Sequence, residues 1–233
     1  MKNIVSIHQP SYFPWLGLVD KINKSDLFVL LDTVQLSDSA YQNRNLFLDN
    51  SGKETLITIP IMKKNHFSKT IKDIKISNDI WKKKHRKFIY FNYKKHPFFD
   101  EIYPKIDYIF DINSSFLIDY VAESMKIVMN LLNIDTDFIY ASKLNLNDDL
   151  TKEDMVLNIL ENVNANIYLS GNGARSYQKE ENFKNRNIEL IYQDFKHPVY
   201  PQKNRDEFLY GMSSLDLLFN LGINASIKIL GDI

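Results

Sequence analysis

The stretch that most constrains the fold is Ile4-Val5-Ser6-Ile7-His8-Gln9-Pro10-Ser11-Tyr12-Phe13-Pro14-Trp15-Leu16-Gly17. Ile4 to Ile7 is nearly all apolar, as a strand buried on both faces should be, and it ends on two polar side chains. Pro10 and Pro14 forbid a continuous helix through the loop that follows. Leu16, Val19 and Ile22 then recur at helical spacing, with Asp20, Lys21 and Lys24 assigned to the opposite, solvated side. Leu27 to Leu31 is a second apolar run, and it ends on Asp32. Two parallel strands need a crossover, and the segment between them supplies one short helix. Ligands of open α/β sheets bind outside the carboxyl ends of the strands, so His8, Gln9 and Asp32 are placed where chemistry is expected.

The remainder of the chain repeats this theme once. Asn43-Arg44-Asn45 precedes a hairpin made by Leu46 to Leu48, the turn Asp49 to Gly52, and Thr55 to Pro60. A further strand is expected at Ile71 to Ile76. Residues 80–133 read as an aromatic-rich helical block, broken at Pro97 and Pro104, with Ser114 and Ser115 capping a helix from Phe116 to Leu132. Asp137 to Ala141 is a strand. Thr151 to Asp154 has the form of a capping box ahead of a helix at Met155–Asn162. Ile167 to Ser170 is a strand that runs into Gly171-Asn172-Gly173-Ala174. A helix over Arg175 to Asn185 and a strand over Glu189 to Tyr192 complete a second strand–loop–helix–strand unit. A final helix starts at Ser213 or Ser214 and is expected to end at Gly222. The expected fold is α/β: a mostly parallel, Rossmann-like sheet formed by residues 1–79 and 134–233, with the helical block 80–133 packed on it.

Bulk properties exclude several functions. With 29 basic and 29 acidic side chains the formal charge is zero, which argues against general affinity for DNA. There is no cysteine, hence no thiolate nucleophile or thiolate metal site. His66, His85, His96 and His197 show no metal-ligand spacing, so no metal site is expected. No run approaches about 18 apolar residues, so no membrane insertion is expected. The N-terminus lacks the pattern of a signal peptide, and a cytoplasmic protein is expected.

Each candidate site residue has a chemical and a structural reading. His8 is a proton acceptor near neutral pH or a loop-holding imidazole. Asp32 is a base, a ribose contact or a turn cap. Tyr12, Trp15 and Tyr93 are rings for a base or sugar, or core. Arg44, between Asn43 and Asn45, grips a phosphate or faces solvent. Ser170 to Ala174 resembles an anion-binding turn whose glycines permit close backbone approach and whose following helix offers N–H groups. It lacks the endings of a phosphate-binding P-loop and of a dinucleotide fingerprint. Gln9, Gln35 and Tyr177 complete the candidate binding set. Lys82 to Lys87, with Lys94 and Lys95, read as a solvated helix face, with a basic docking patch as the alternative.

These residues carry a resemblance. Ile7 to Gly17, Phe28 to Gln35, Gln42 to Asn45, Asn92 to Lys95, Phe99 to Pro104, Tyr168 to Ala174 and Met212 to Asn220 together resemble the WbqC-like family. In that family Met also occupies the position of His8, which ranks His8 first as a ligand contact and second as a base. The resemblance implies a role in bacterial surface-polysaccharide (O-antigen) biosynthesis. The implied reaction is transfer of glycine, or another aminoacyl or acyl group, onto the amino sugar of a sugar nucleotide. The implied partners are a nucleotide-linked amino sugar and an acyl or aminoacyl donor. The cofactor is left open, with ATP and Mg2+ as the candidate, because the first unit is also analogous at fold level to strand–histidine loop–helix sites for ATP. A nucleotidyl- or adenylyl-transferring enzyme with the same site, and a non-catalytic partner of glycan assembly, are the alternatives.

Overall fold

A computed structural model describes residues 3–37, 41–63, 68–147, 150 and 152–231. His66 and Thr151 lie outside the described residues. Five strands make one parallel sheet: β1 (Ile4–His8), β2 (Leu27–Leu30), β5 (Asp137–Tyr140), β6 (Ile167–Ser170) and β7 (Glu189–Tyr192). The antiparallel hairpin of β3 (Arg44–Leu48) and β4 (Glu54–Thr58) stands apart from it. Across the sheet the order is β5-β2-β1-β6-β7. The chain moves outward from β1 on one side, then returns and moves outward on the other. Strand order therefore reverses between β1 and β6, which is where such sheets open a crevice.

The alternation of β1 decides which face each residue serves. Val5 and Ile7 join a core with Val29, Tyr168, Leu157, Leu160 and Phe183, under α5 (Lys152–Asn162) and α6 (Glu180–Lys184). Ser6 faces the other way and accepts a hydrogen bond from Ser25 Oγ at 2.8 Å, beside α1 (Leu16–Asn23). That face carries the larger core. In it Leu16, Val19 and Ile22 of α1 share one apolar cluster with Phe47 of the hairpin and with Trp81, Ile102 and Val121. The last three belong to α2 (Ile80–Tyr93), α3 (Phe99–Ile106) and α4 (Leu117–Leu131). The final helix, α7 (Ser214–Gly231), contributes Leu215, Leu218 and Phe219.

Four local expectations are corrected. Residues 71–76 are not a strand: Ile71–Asp73 is a 3-10 turn in which Thr70 Oγ1 donates to Asp73 at 2.8 Å, a local bond that competes with sheet pairing. Pro104 lies inside α3, close enough to its end that little helix is lost. The helix after the glycine loop is only Glu180–Lys184, preceded by a 3-10 turn at Asn172–Ala174. The chain kinks at Gly222 (φ 73°) but resumes as helix to Gly231. Phe98 and Glu101 sit where a side chain at position 222 would go, so both the angle and the space require glycine there.

Candidate functional site

Register builds the site. Ser6 pairs with Leu169, and Ser170 pairs with Tyr192. Carried forward, this pairing sets His8, Gly171 and Gln193 in one row across the carboxyl ends of three adjacent strands. A crevice of about 330 Å³ opens there. Its walls are His8, the start of α1 with Trp15, Gly17 and Lys21, the loop Gly171 to Gly173, and Gln193 with Phe195.

The loop between β1 and α1 is held in a strained form. Phe13 has φ 42°, a value that a bulky side chain rarely adopts. Its N–H donates to Ser124 Oγ at 2.9 Å. Asn45 Nδ2 donates to the carbonyls of Tyr12 and Phe13 at 3.0 and 2.7 Å. The turn delivers Trp15 to the crevice edge, where its ring meets Phe195 edge-on at 5.6 Å. A Cβ on Gly17 would lie 2.1 Å from the Trp15 ring, so the indole lies directly over the helix start and only glycine admits it.

His8 shares a hydrogen between Nδ1 and the carbonyl of Gln9 at 2.8 Å. In the neutral ring Nδ1 is then the donor, which leaves Nε2 with a lone pair. Enclosure by the crevice walls, and then the nearby Lys21 ammonium, hold the imidazole below its ordinary pKa, against the opposing effect of the Gln9 carbonyl. Taken as a whole, the residue remains exposed to solvent. Lys21 is buried and donates to the carbonyl of Ile7 at 2.9 Å. Burial lowers its pKa to about 8.

Asp20 and Lys21 correct the expectation that both face solvent: both are buried. Asp20 binds Lys24 at 2.9 Å and accepts from Gln193 Nε2 at 2.6 Å. Asn172 Nδ2 donates to the carbonyl of Gln193 at 2.8 Å, and Arg175 Nε donates to Asn172 at 3.0 Å. The glycine loop is thereby tied through Gln193 to α1. Neither Gly171 nor Gly173 is needed for its backbone angle, and a Cβ at either would meet nothing within 4 Å. Both glycines line the crevice and stand beside open space. The loop does not lead into a helix N-terminus, because the N–H groups of Ala174 and Arg175 close the 3-10 turn on Gly171 and Asn172.

Several candidates lie elsewhere. Tyr12 is fully buried, with its hydroxyl 3.1 Å from His85 Nδ1. Tyr93 is fully buried, stacked on Phe219 at 4.6 Å, and accepts from the Leu48 N–H. Asp32 is buried and accepts from the N–H and Oγ of Ser142 at 2.9 and 2.6 Å, the geometry of a loop cap. Ser170 is buried against Gln178 at 2.8 Å. Asn43 Nδ2 donates to the carbonyl of Ile59 at 2.9 Å, and Asn43 and Arg44 line a separate recess with Lys63 and Ser77. The hairpin thus contributes nothing to the lining of the crevice. Gln9, Gln35 and Tyr177 line a neighbouring apolar chamber, and Ala174 is half-buried behind the loop. In the basic run, Arg86 pairs with Asp107 at 2.9 Å and Asp111 at 2.7 Å, and Lys82 with Asp79 at 2.8 Å. His85 is buried. Lys21, Gln193 and Phe195 are crevice residues that sequence reasoning missed, and Lys21 is the one of them that carries charge. Its only signal was a charge one helical turn beyond the glycine that opens α1.

The chain is 29% identical over 225 residues to the "Uncharacterized protein Rv1507c" of Mycobacterium tuberculosis, a match that covers 95% of each chain. No solved structure matches it. Among the described residues no helix is long and apolar enough to cross a membrane. The WbqC-like protein family matches residues 9–228, nearly the whole of the chain, and the protein belongs to that family.

Proposed function

We propose that the protein forms an amide by moving an acyl or aminoacyl group onto the amino group of a nucleotide-linked amino sugar, in surface-polysaccharide assembly. One observation carries the reading: His8, Lys21 and the open Gly171–Gly173 loop share a single crevice at the point where strand order reverses. The glycines and the Lys21 ammonium suit the phosphates of a nucleotide sugar. Trp15 offers a ring face or edge to the base or sugar. An amine attacks only when neutral, and it must lose a proton as the amide forms. His8 Nε2 is the base. The amine nitrogen bonds to the acyl carbon, the bond from that carbon to its leaving group breaks, and the leaving group departs with the electron pair. Nucleotide-activated sugars are cytoplasmic substrates, and the reading assigns the protein to that compartment.

The phosphates of ATP would fit the same loop and lysine. Asp20, the one carboxylate of α1, is already engaged by Lys24 and Gln193. What these side chains fit is a phosphate.

The test is incubation with an amino-sugar nucleotide and a panel of activated acyl donors, or glycine with ATP, read by mass. An amide whose formation falls at least tenfold in His8→Gln supports the reading. No product with any donor, and no sugar-nucleotide binding, overturns it. Pyrophosphate release without amide supports nucleotidyl transfer in its place.

A further inference from the structure

Asp79 and Asp100 bound a stretch that holds seven lysine and arginine residues and no acidic one, in a chain whose formal charge is zero. Most of that stretch is α2. The helix buries Trp81, His85, Ile89 and Tyr93 on one face. Its other face presents Ile80, Lys83, Lys84, Lys87, Phe91 and Lys94, all exposed, in a stripe about 100° wide and about 21 Å long. Lys82 and Arg86 stand at the margin and pair with Asp79, Asp107 and Asp111. Among the described residues no carboxylate pairs with a lysine of the stripe. The hairpin turn packs alongside, where Asn50 Nδ2 donates to the carbonyl of Phe91 at 3.1 Å. Its Asp49 is occupied with the N–H groups of Ser51 and Lys53, at 2.8 and 3.0 Å.

We propose that this stripe docks the protein on the surface of an anionic lipid bilayer, without spanning it. The first support is charge. Lys83 and Lys87 lie four residues apart, and Lys84 and Lys87 three, spacings at which like charges weaken a helix. A negative surface facing the stripe offsets that cost and gains from every lysine. The second support is the apolar groups set among the lysines. Ile80 is 63% exposed and Phe91 51% exposed, with the Tyr90 ring beside them. The Lys94 ammonium sits 5.1 Å from the centre of the Phe91 ring and 5.7 Å from that of Tyr90. In a headgroup layer such rings leave water while the ammonium ends reach lipid phosphates. The third support is the choice of cation. A nucleic acid or an acidic protein is best gripped by guanidinium, which fits phosphate or carboxylate at two points. The one arginine of the stretch is turned to Asp107 and Asp111. The outward charges are all lysine, point charges on flexible stems that suit a fluid array of headgroups.

The experiment is sedimentation of the full chain with vesicles of phosphatidylcholine alone and of an equal mixture with phosphatidylglycerol, at low and at high salt. The anionic vesicles should carry the protein down, high salt should release it, and neutral vesicles should leave it in solution. Lys83→Gln combined with Lys87→Gln should weaken binding about 25-fold, from roughly fivefold for each lysine. The same variant should keep or raise Tm, because a like-charge pair is removed. Phe91→Trp puts an indole in the stripe, and its emission should shift to the blue on anionic vesicles, beyond any shift of Trp15 and Trp81 in the parent. No sedimentation with anionic vesicles, equal sedimentation with neutral ones, or unchanged binding in the double lysine variant would each overturn the proposal. So would vesicle-bound Phe91→Trp without the added blue shift, which would place the contact on another face. Tighter binding to a single-stranded oligonucleotide or to polyglutamate at the same salt would also overturn it, and would assign the stripe to a nucleic acid or an acidic protein.

Discussion

Gln193 donates its side-chain amide to the Asp20 carboxylate at 2.6 Å, across 173 residues of chain, and also to the carbonyl of Gly17 at 2.8 Å. This one side chain joins the loop after β7 to α1, and the backbone carbonyl of Gln193 separately accepts from Asn172, which ties in the glycine loop. The crevice is thus a clasped opening between segments that the sequence keeps far apart.

Gln193→Ala removes the bonds to α1 and leaves the Asn172 bond to its backbone carbonyl in place. Losing a hydrogen bond to a charged group and one to a carbonyl should cost about 2–3 kcal/mol, or a fall in Tm of roughly 4–12 °C for a chain of this size. Sugar-nucleotide affinity should fall with it. Calorimetry on the variant checks both.

Gly171→Ala and Gly173→Ala should leave Tm within about 2 °C of the parent, because the new methyl meets no atom within 4 Å and neither residue has a positive φ. Ligand affinity should drop about tenfold or more, since the methyl takes the space that a phosphate approaching the backbone requires. A large loss of Tm with unchanged affinity would make these glycines part of the fold alone.

Lys21→Met should stabilise the protein while disabling it. The ammonium is buried at a cost that shows as a pKa lowered from 10.5 to about 8. Part of that cost is offset by its bond to the Ile7 carbonyl. The net gain on replacement is about 1 kcal/mol, seen as a rise of roughly 2–4 °C in Tm. Affinity for the nucleotide should fall, and thermal melts with and without sugar nucleotide report both effects.

The pH profile follows from His8 and Lys21. His8 works as the neutral base, so the acid limb should lie below the ordinary imidazole value of 6.5. Lys21 loses its charge above about 8, which sets the alkaline limb. Stability obeys the same signs. The folded state binds fewer protons than the unfolded chain between the depressed His8 value and 6.5, so stability rises with pH across that window and is lost as pH falls. Lys21 acts likewise between about 8 and 10.5. The difference between parent and His8→Gln melts, taken at each pH, isolates the first contribution; no difference across the window would refute it.

Asp32→Ala should destabilise without touching the site. It leaves the N–H and hydroxyl of Ser142 without their acceptor, at a cost of about 2–3 kcal/mol. Binding and turnover per folded molecule should be unchanged. A loss of turnover with intact stability would restore Asp32 as a base.

Much of this architecture is visible in the chain. The apolar runs ending on His8 and Ser170 specify parallel strands, because residues without alternation are buried on both faces. Glycines at 171 and 173 mark the second loop. The roles of individual polar residues were not visible. Asp32 and Asn45 have the composition of ligand-binding groups, yet each spends its hydrogen bonds on the protein's own backbone or loops. Tyr12 and Tyr93 have rings fit for stacking on a sugar, and packing by the helices over residues 80–131 claims them for the core.

The sequence by itself determined the elements and the two loops, since strand burial, turn chemistry and helical spacing are local properties of neighbouring residues. Only the tertiary structure decided which polar groups face the crevice. Parallel register put His8, Gly171 and Gln193 in one row, and the packing of α1 turned Lys21 inward. Those outcomes depend on pairings between separate segments, β1 with β6 and β6 with β7, and the pattern along one segment carries no record of what will be packed against it.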